Sequence, residues 1–193
     1  FDIKLDRQSY AESKGLIAYG SQDELLADPA IDLVLVSTPN HLHKEIAIKA
    51  MEAGKHVVCE KPVTLSSKDL QEMIDASEQF NRLFVVHQNR RWDEDFLTMK
   101  RVYDEKLLGD IYRIESRVHG SRGIPSDWRQ EKEYGGGMVL DWGVHILDQM
   151  LLIIPEKVKS VHAILTNVTN EIVDDGFCVT LNFEGGKTAY LEV

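Results

Sequence analysis

Three short apolar, β-branched runs, each separated by a helix-forming stretch, constrain this chain more than any other feature. Asp32–Ser37, Lys55–Glu60 and Leu83–His87 have the look of buried strands in a parallel sheet. Between the first two, Asn40 predicts the N-cap of a helix over 41–53, with Gly54 just past its end. Between the second and third, Ser66 or Ser67 predicts the start of a helix reaching about Phe80, with Leu70, Met73 and Ile74 as its apolar stripe. Upstream, Ser21-Gln-Asp-Glu24 is a capping box that opens a short helix, and Asp28-Pro29 ends it. The residues Phe1 to Lys4 read like the tail of a further strand. The alternation over residues 1–90 predicts an open α/β sheet of parallel strands. Such sheets bind ligands beyond the carboxyl ends of their strands. That singles out Thr38-Pro39-Asn40, Glu60-Lys61-Pro62 and Gln88-Asn89-Arg90-Arg91.

Past residue 90 the pattern changes. A helix is predicted from Trp92 to Glu105 and an alternating strand from Ile111 to His119. A loop rich in glycine and charge follows from Gly120 to Gly137 and contains Trp128-Arg129. Strands at about 158–167, 176–183 and 187–193 close the chain, the last two joined through Glu184-Gly-Gly186. Residues 91–193 are therefore expected to form a second, α+β domain with a mostly antiparallel sheet. Between loop and strands lies Tyr134 to Asp148, three glycines followed by an apolar run that carries Asp141, His145 and Asp148. On a helix these three share one face. Carboxylates and an imidazole on a buried helix are costly unless paired or used in chemistry. Taken alone, the segment fits a core network and a catalytic edge equally well.

Charge narrows the partners. A net charge of -10 argues against a nucleic-acid backbone or an anionic membrane as partner. No apolar run is long enough to cross a membrane and no secretory leader is read, so a cytoplasmic location is expected. Cys59 and Cys178 lie far apart in strand-like contexts and read as two reduced thiols, Cys59 as a buried residue rather than a nucleophile. Asp141 and His145 lack a third donor at metal-site spacing, so no metal is expected. Asn40, His41 and His43 open a helix, where they either attract a polar ligand or cap it with exposed histidines. Arg90 and Arg91 sit where the architecture changes and could bind phosphate or carboxylate, or pair across the domain junction. Lys61, taken alone, is most simply a solvated lysine in a turn. The first and last residues read as cuts inside strands, so an internal piece of a longer chain is expected.

Three motifs in register make the pattern specific. They are Thr-Pro-Asn-His-Leu-His at 38–43, Ala-Gly-Lys-His-Val-Val-Cys-Glu-Lys-Pro at 53–62 and Gly-Gly-Gly-Met-Val-Leu-Asp-Trp-Gly-Val-His at 135–145. Together they resemble the glucose–fructose oxidoreductase / inositol dehydrogenase / MocA family of NAD(P)-dependent oxidoreductases. His87 to Phe96 looks like the inositol and sugar dehydrogenase-like members. The resemblance implies an N-terminal Rossmann domain, a C-terminal α/β domain with an open sheet, and self-association through that sheet. It implies Lys61, Asp141 and His145 as the catalytic set, acting on a secondary hydroxyl of a sugar or cyclitol. It implies Thr38, Pro39, Asn40, His43, Glu60, Lys61 and Gln88 as cofactor contacts, with Trp128 and Arg129 on a loop that reaches the cofactor in some members. The Gly-rich phosphate loop of a Rossmann fold does not occur in this sequence, so the chain by itself is expected to bind cofactor poorly. The acidic residue that follows such a loop would be Asp2, which favours NAD, while Lys4 and Arg7 keep NADP open. A glycoside hydrolase using the same fold through transient oxidation, and a non-catalytic dinucleotide-binding regulator, are the alternatives.

Overall fold

The computed structural model describes residues 1–120 and 123–193, so residues 121 and 122 of the predicted glycine-rich loop lie outside the described residues. The chain divides into two compact units. The first comprises 1–38, 42–60 and 66–86. The second comprises 39–41, 61–65 and 87–193.

The first unit is Rossmann-like. Helices α1 (Leu5–Ser13) and α2 (Gln22–Ala27) precede strand β1 (Leu33–Val36). Then follow α3 (His43–Glu52), β2 (His56–Cys59), α4 (Ser67–Gln79) and β3 (Phe84–Val86). The strands pair in parallel in the order β1-β2-β3. Both predicted serine caps form: the Ser21 and Ser66 hydroxyls accept from the backbone N–H of Glu24 and Asp69 at 3.1 Å. Met51, Val57, Cys59, Met73 and Ala76 make the buried interior.

The structure corrects three expectations. Residues 1–4 form no strand; Asp2 Oδ1 instead accepts from the Lys4 N–H at 2.8 Å just before α1. The stretch 41–53 does not begin as an α-helix capped by Asn40. A 3-10 turn covers Asn40–Leu42, and α3 starts at His43 without a side-chain cap. The Asn40 amide instead bonds the Gly135 carbonyl. Finally, β1 is buried on one side only: Val36 is enclosed, while Leu33 and Leu35 stand about half exposed. Alternate residues of a strand point to opposite faces, and only the Val34/Val36 face is covered.

The second unit is α+β. The predicted helix at 92–105 is split into a 3-10 turn at Asn89–Trp92 and α5 (Glu94–Asp104). Strand β4 (Arg113–Arg117) precedes the 3-10 turns at Trp128–Gln130 and Lys132–Tyr134. A π-helical turn at Val139–Gly143 leads into α6 (Val144–Ile153). Strands β5 (Val158–Thr166), β6 (Gly176–Phe183) and β7 (Thr188–Glu192) follow. The sheet order is β4-β7-β6-β5, antiparallel except for the β4–β7 pair. Phe177, Val179, Leu181 and Phe183 alternate along β6 onto one face, where they meet Phe96 of α5 and Ile146, Met150 and Ile153 of α6. The Phe177 ring lies so near the π-helical turn that a Cβ on Gly143 would come within 3.2 Å of it.

Phe177 therefore joins the core to the turn that carries Asp141. Phe177→Ala is expected to cost about 3–5 kcal/mol in urea unfolding, against about 1 kcal/mol for the cap deletion Ser66→Ala.

Candidate active site

The second unit brings Lys61, Asp141 and His145 together. Lys61 lies in the turn that follows β2, and its bond to Pro62 is cis. Its ammonium donates to the Asp141 carboxylate Oδ1 at 2.8 Å and to the Asp141 backbone carbonyl at 2.9 Å. Two of its three donors thus go to one residue. Both side chains are mostly enclosed, at 17% and 19% exposure, where an ion pair is less screened than at the surface.

Asp141 sits inside the π-helical turn, and such turns recur at functional sites. The start of this turn is held from a distant loop. Asp174 accepts from Val139 N–H with its carboxylate at 2.8 Å and from Met138 N–H with its carbonyl at 3.0 Å. Those are N–H groups that a helix start leaves without internal partners. Gly137, with φ +102°, packs so tightly on the Asp174 carboxylate that any side chain would overlap it. Gly135 packs in the same way on Leu65, and its carbonyl accepts from the Asn40 amide at 3.1 Å. That bond is where the predicted capping residue is spent.

His145 is 3% exposed, in the first turn of α6. Its Nδ1 is buried with no hydrogen-bond partner among the described residues. Burial, then the charges of Lys61 and Arg90, push its pKa down to about 4, against a weaker opposing pull from Asp141 and Asp93. The imidazole is therefore neutral at ordinary pH. Burial works against an ionised Asp141, but the Lys61 hydrogen bond and the charges of Lys61 and Arg129 outweigh it and hold the carboxyl below its usual range.

The third polar group of the α6 segment has a different role. Asp148 takes a two-pronged ion pair from Arg91, at 2.6 and 2.8 Å. The Arg90 guanidinium lies 4.1 Å from the Trp142 ring centroid and pairs with Asp93 at 2.9 Å, while its carbonyl accepts from the buried Gln149 amide at 2.9 Å. Both arginines are thus committed to internal pairing. Arg129 approaches Asp141 Oδ1 through Nε at 3.4 Å, and Trp128 stacks beside its guanidinium. His41 is exposed and stacks on Tyr134, centroids 4.6 Å apart.

The other expected cofactor contacts have varied surroundings. His43 is fully buried rather than exposed, its Nε2 lying 2.8 Å from the Thr38 carbonyl, so it secures the end of β1. The Thr38 hydroxyl in the first unit and the Gln88 carbonyl oxygen in the second are each buried without a hydrogen-bond partner among the described residues. Each follows a strand of the parallel sheet, and a buried polar atom of this kind is ordinarily satisfied by a ligand or an ordered water. Pro39 follows β1, and the Glu60 N–H donates to the Val36 carbonyl at 2.9 Å, extending the β1–β2 ladder. Asp2 is exposed. Cys59 is fully buried, and burial pushes its thiol up to about 12, which removes it as a nucleophile. Among the described residues no group of three or more His, Cys, Asp or Glu side chains is placed to hold a metal, and no helix is long and apolar enough to cross a membrane.

Comparison with known proteins agrees with this layout. Residues 2–88 match the oxidoreductase family with an NAD-binding Rossmann fold, and residues 96–193 match the GFO/IDH/MocA C-terminal domain. The chain belongs to the Gfo/Idh/MocA family of oxidoreductases. It is 44% identical to an uncharacterized oxidoreductase of Schizosaccharomyces pombe over 74% of this chain and 40% of that protein. It is 35% identical to a scyllo-inositol 2-dehydrogenase (NADP(+)) of Bacillus subtilis over 83% of this chain and 45% of that protein. A crystal structure of an NAD-binding protein from Listeria innocua covers 100% of this chain with 56% of its own, at a TM-score of 0.98 and 54% identity. The chain thus spans about half the length of the relatives it matches.

The buried neutral histidine has a consequence for stability. A histidine with a depressed folded pKa leaves stability intact above the unfolded value near 6.5 and removes it as pH falls through about 4, because only the unfolded chain binds the proton in that window. Between about pH 7 and about pH 5, His145→Asn is expected to lose roughly 2 kcal/mol less than the wild type in urea unfolding.

Proposed function

We propose that the full-length protein is an NAD(P)-dependent dehydrogenase that oxidises a secondary hydroxyl of a sugar or cyclitol. The observation that carries this reading is the Lys61–Asp141 ion pair with a neutral, enclosed His145 one turn further along the same helical segment. Bound nicotinamide supplies the hydride acceptor. The chain's own residues manage the proton. His145 takes the hydroxyl proton at Nε2, since Nδ1 is fully enclosed, and a neutral imidazole is the form that can accept it. Lys61 donates to the reacting oxygen and stabilises negative charge as it develops there. Asp141 accepts from a substrate hydroxyl and holds the Lys61 ammonium in place. The resemblance assigns the cofactor contacts to Thr38, Pro39, Glu60 and Gln88, with Asp2 toward the ribose, while Asn40 and His43, both buried and bonded to Gly135 and Thr38, support their own segments. The inositol dehydrogenase named among the relatives supports the substrate class. A cytoplasmic location and self-association through the β4–β7 sheet belong to the same reading.

The test is reduction of NAD and NADP by the full-length protein over a panel of inositols and aldoses. Turnover with at least one polyol is expected, and His145→Ala is expected to lower kcat by about 10²–10⁴-fold with cofactor affinity retained. Cofactor binding without turnover of any polyol would exclude the substrate class. Release of an aglycone without net cofactor reduction would favour the glycosidase alternative.

A further inference from the structure

We infer that Arg129 is a positioning residue for Asp141, seated by the glycine run and fixing which carboxylate oxygen faces the substrate. This rests on the role of Asp141 in the dehydrogenase reading. The geometry is specific. Lys61 Nζ, at 2.8 Å, and Arg129 Nε, at 3.4 Å, meet the same oxygen, Oδ1. Among the described residues Oδ2 takes no hydrogen bond, so it is the oxygen presented to a substrate hydroxyl.

Arg129 is itself held from three sides. Asp127 accepts from the Arg129 backbone N–H at 2.9 Å and from its Nη1 at 2.7 Å. The Trp128 ring lies under the guanidinium at 4.6 Å. The Arg129 carbonyl accepts from Gly137 N–H at 3.0 Å, and a Cβ on Gly136 would overlap that carbonyl. Gly136 therefore has to be glycine because the loop carrying Arg129 lies directly on it. Asp127, Arg129, Asp141 and Lys61 form a chain of alternating charge. Two cations on one oxygen restrain the carboxylate in both rotation and ionisation, where a single lysine would leave it free to swing about the N–O contact. The groups facing Asp141 are Lys61 from the turn after β2, Arg129 backed by Asp127 from the 127–131 loop, and His145 on its own helix, with Arg90 and Asp93 beyond the histidine. Arg129 thereby makes a direct contact with the carboxylate of Asp141.

The test uses Arg129→Gln, Arg129→Lys and Gly136→Ala in the full-length protein, with folding checked by thermal unfolding. Cofactor affinity, kcat against pH for the preferred polyol, and the Asp141 carboxyl titration by 13C NMR are measured for each. Arg129→Gln is expected to leave cofactor affinity within about twofold, to lower kcat by about tenfold or more, and to raise the pH at which Asp141 protonates. Arg129→Lys is expected to recover part of both changes. Gly136→Ala, which keeps the arginine but displaces its seat, is expected to shift the titration in the same direction. An unmoved Asp141 titration in Arg129→Gln and Gly136→Ala overturns the inference, as does a loss of cofactor affinity of tenfold or more with kcat unchanged. Because the titration needs no turnover, a shifted Asp141 in a protein that oxidises no polyol would sustain the positioning role while the dehydrogenase reading fell.

Discussion

The ion pair between Lys61 and Asp141 is the contact on which the rest of the site depends. It joins residues 80 positions apart in sequence, and in each direction the fold supplies what the pair needs. On one side, Lys61 follows β2, a strand buried at alternate positions, in a turn where the next residue is Pro62. On the other, a π-helical turn presents the carboxylate and carbonyl of Asp141 to the same ammonium. Removing Asp141 would take from Lys61 the carboxylate it pairs with, and removing Lys61 would leave Asp141 only the longer Arg129 contact at 3.4 Å; in a mostly enclosed pair either change is costlier than losing a surface ion pair.

The pair also sets the electrostatics around His145. A buried imidazole near Lys61 and Arg90 stays neutral, and Asp141 opposes that effect only in part. The carboxylate meanwhile stays ionised because two cations converge on it. One short segment thus holds an anionic and a neutral group side by side, and environments that push neighbouring titratable groups apart are how acid and base roles become distinct. The packing beneath is apolar and tight: Phe177 against Gly143, and Ile146 and Met150 in the core, keep the segment from relaxing.

Much of this was legible in the sequence, for physical reasons. The parallel sheet followed from β-branched runs, and the antiparallel sheet from alternation and a Gly-Gly turn. Two serine caps followed from local spacing, which needs no tertiary information. Asp141 and His145 were visible as polar residues in an apolar helical run, and Lys61 gained meaning only through the resemblance. What stayed hidden were long-range contacts. Nothing near Asn40 shows that its amide serves Gly135 instead of a helix start. Nothing near Val139 shows that Asp174 completes its helix. The three glycines stood out, but the bodies they make room for, Leu65, the Arg129 carbonyl and the Asp174 carboxylate, come from elsewhere in the chain. Arg91 and Asp148 likewise find each other across 57 residues. The half-covered β1 was missed because an apolar run gives no sign of which face has a partner.

The most direct measurement on the central claim is a double-mutant cycle on Lys61 and Asp141, using Lys61→Met, Asp141→Asn and the double variant, read as the single-turnover rate of cofactor reduction. If the two residues act as one unit, the double variant is scarcely slower than the worse single variant, with a coupling of roughly 1–3 kcal/mol. If the losses simply multiply, with no coupling, Lys61 and Asp141 act independently and the ion pair is not the basis of the site.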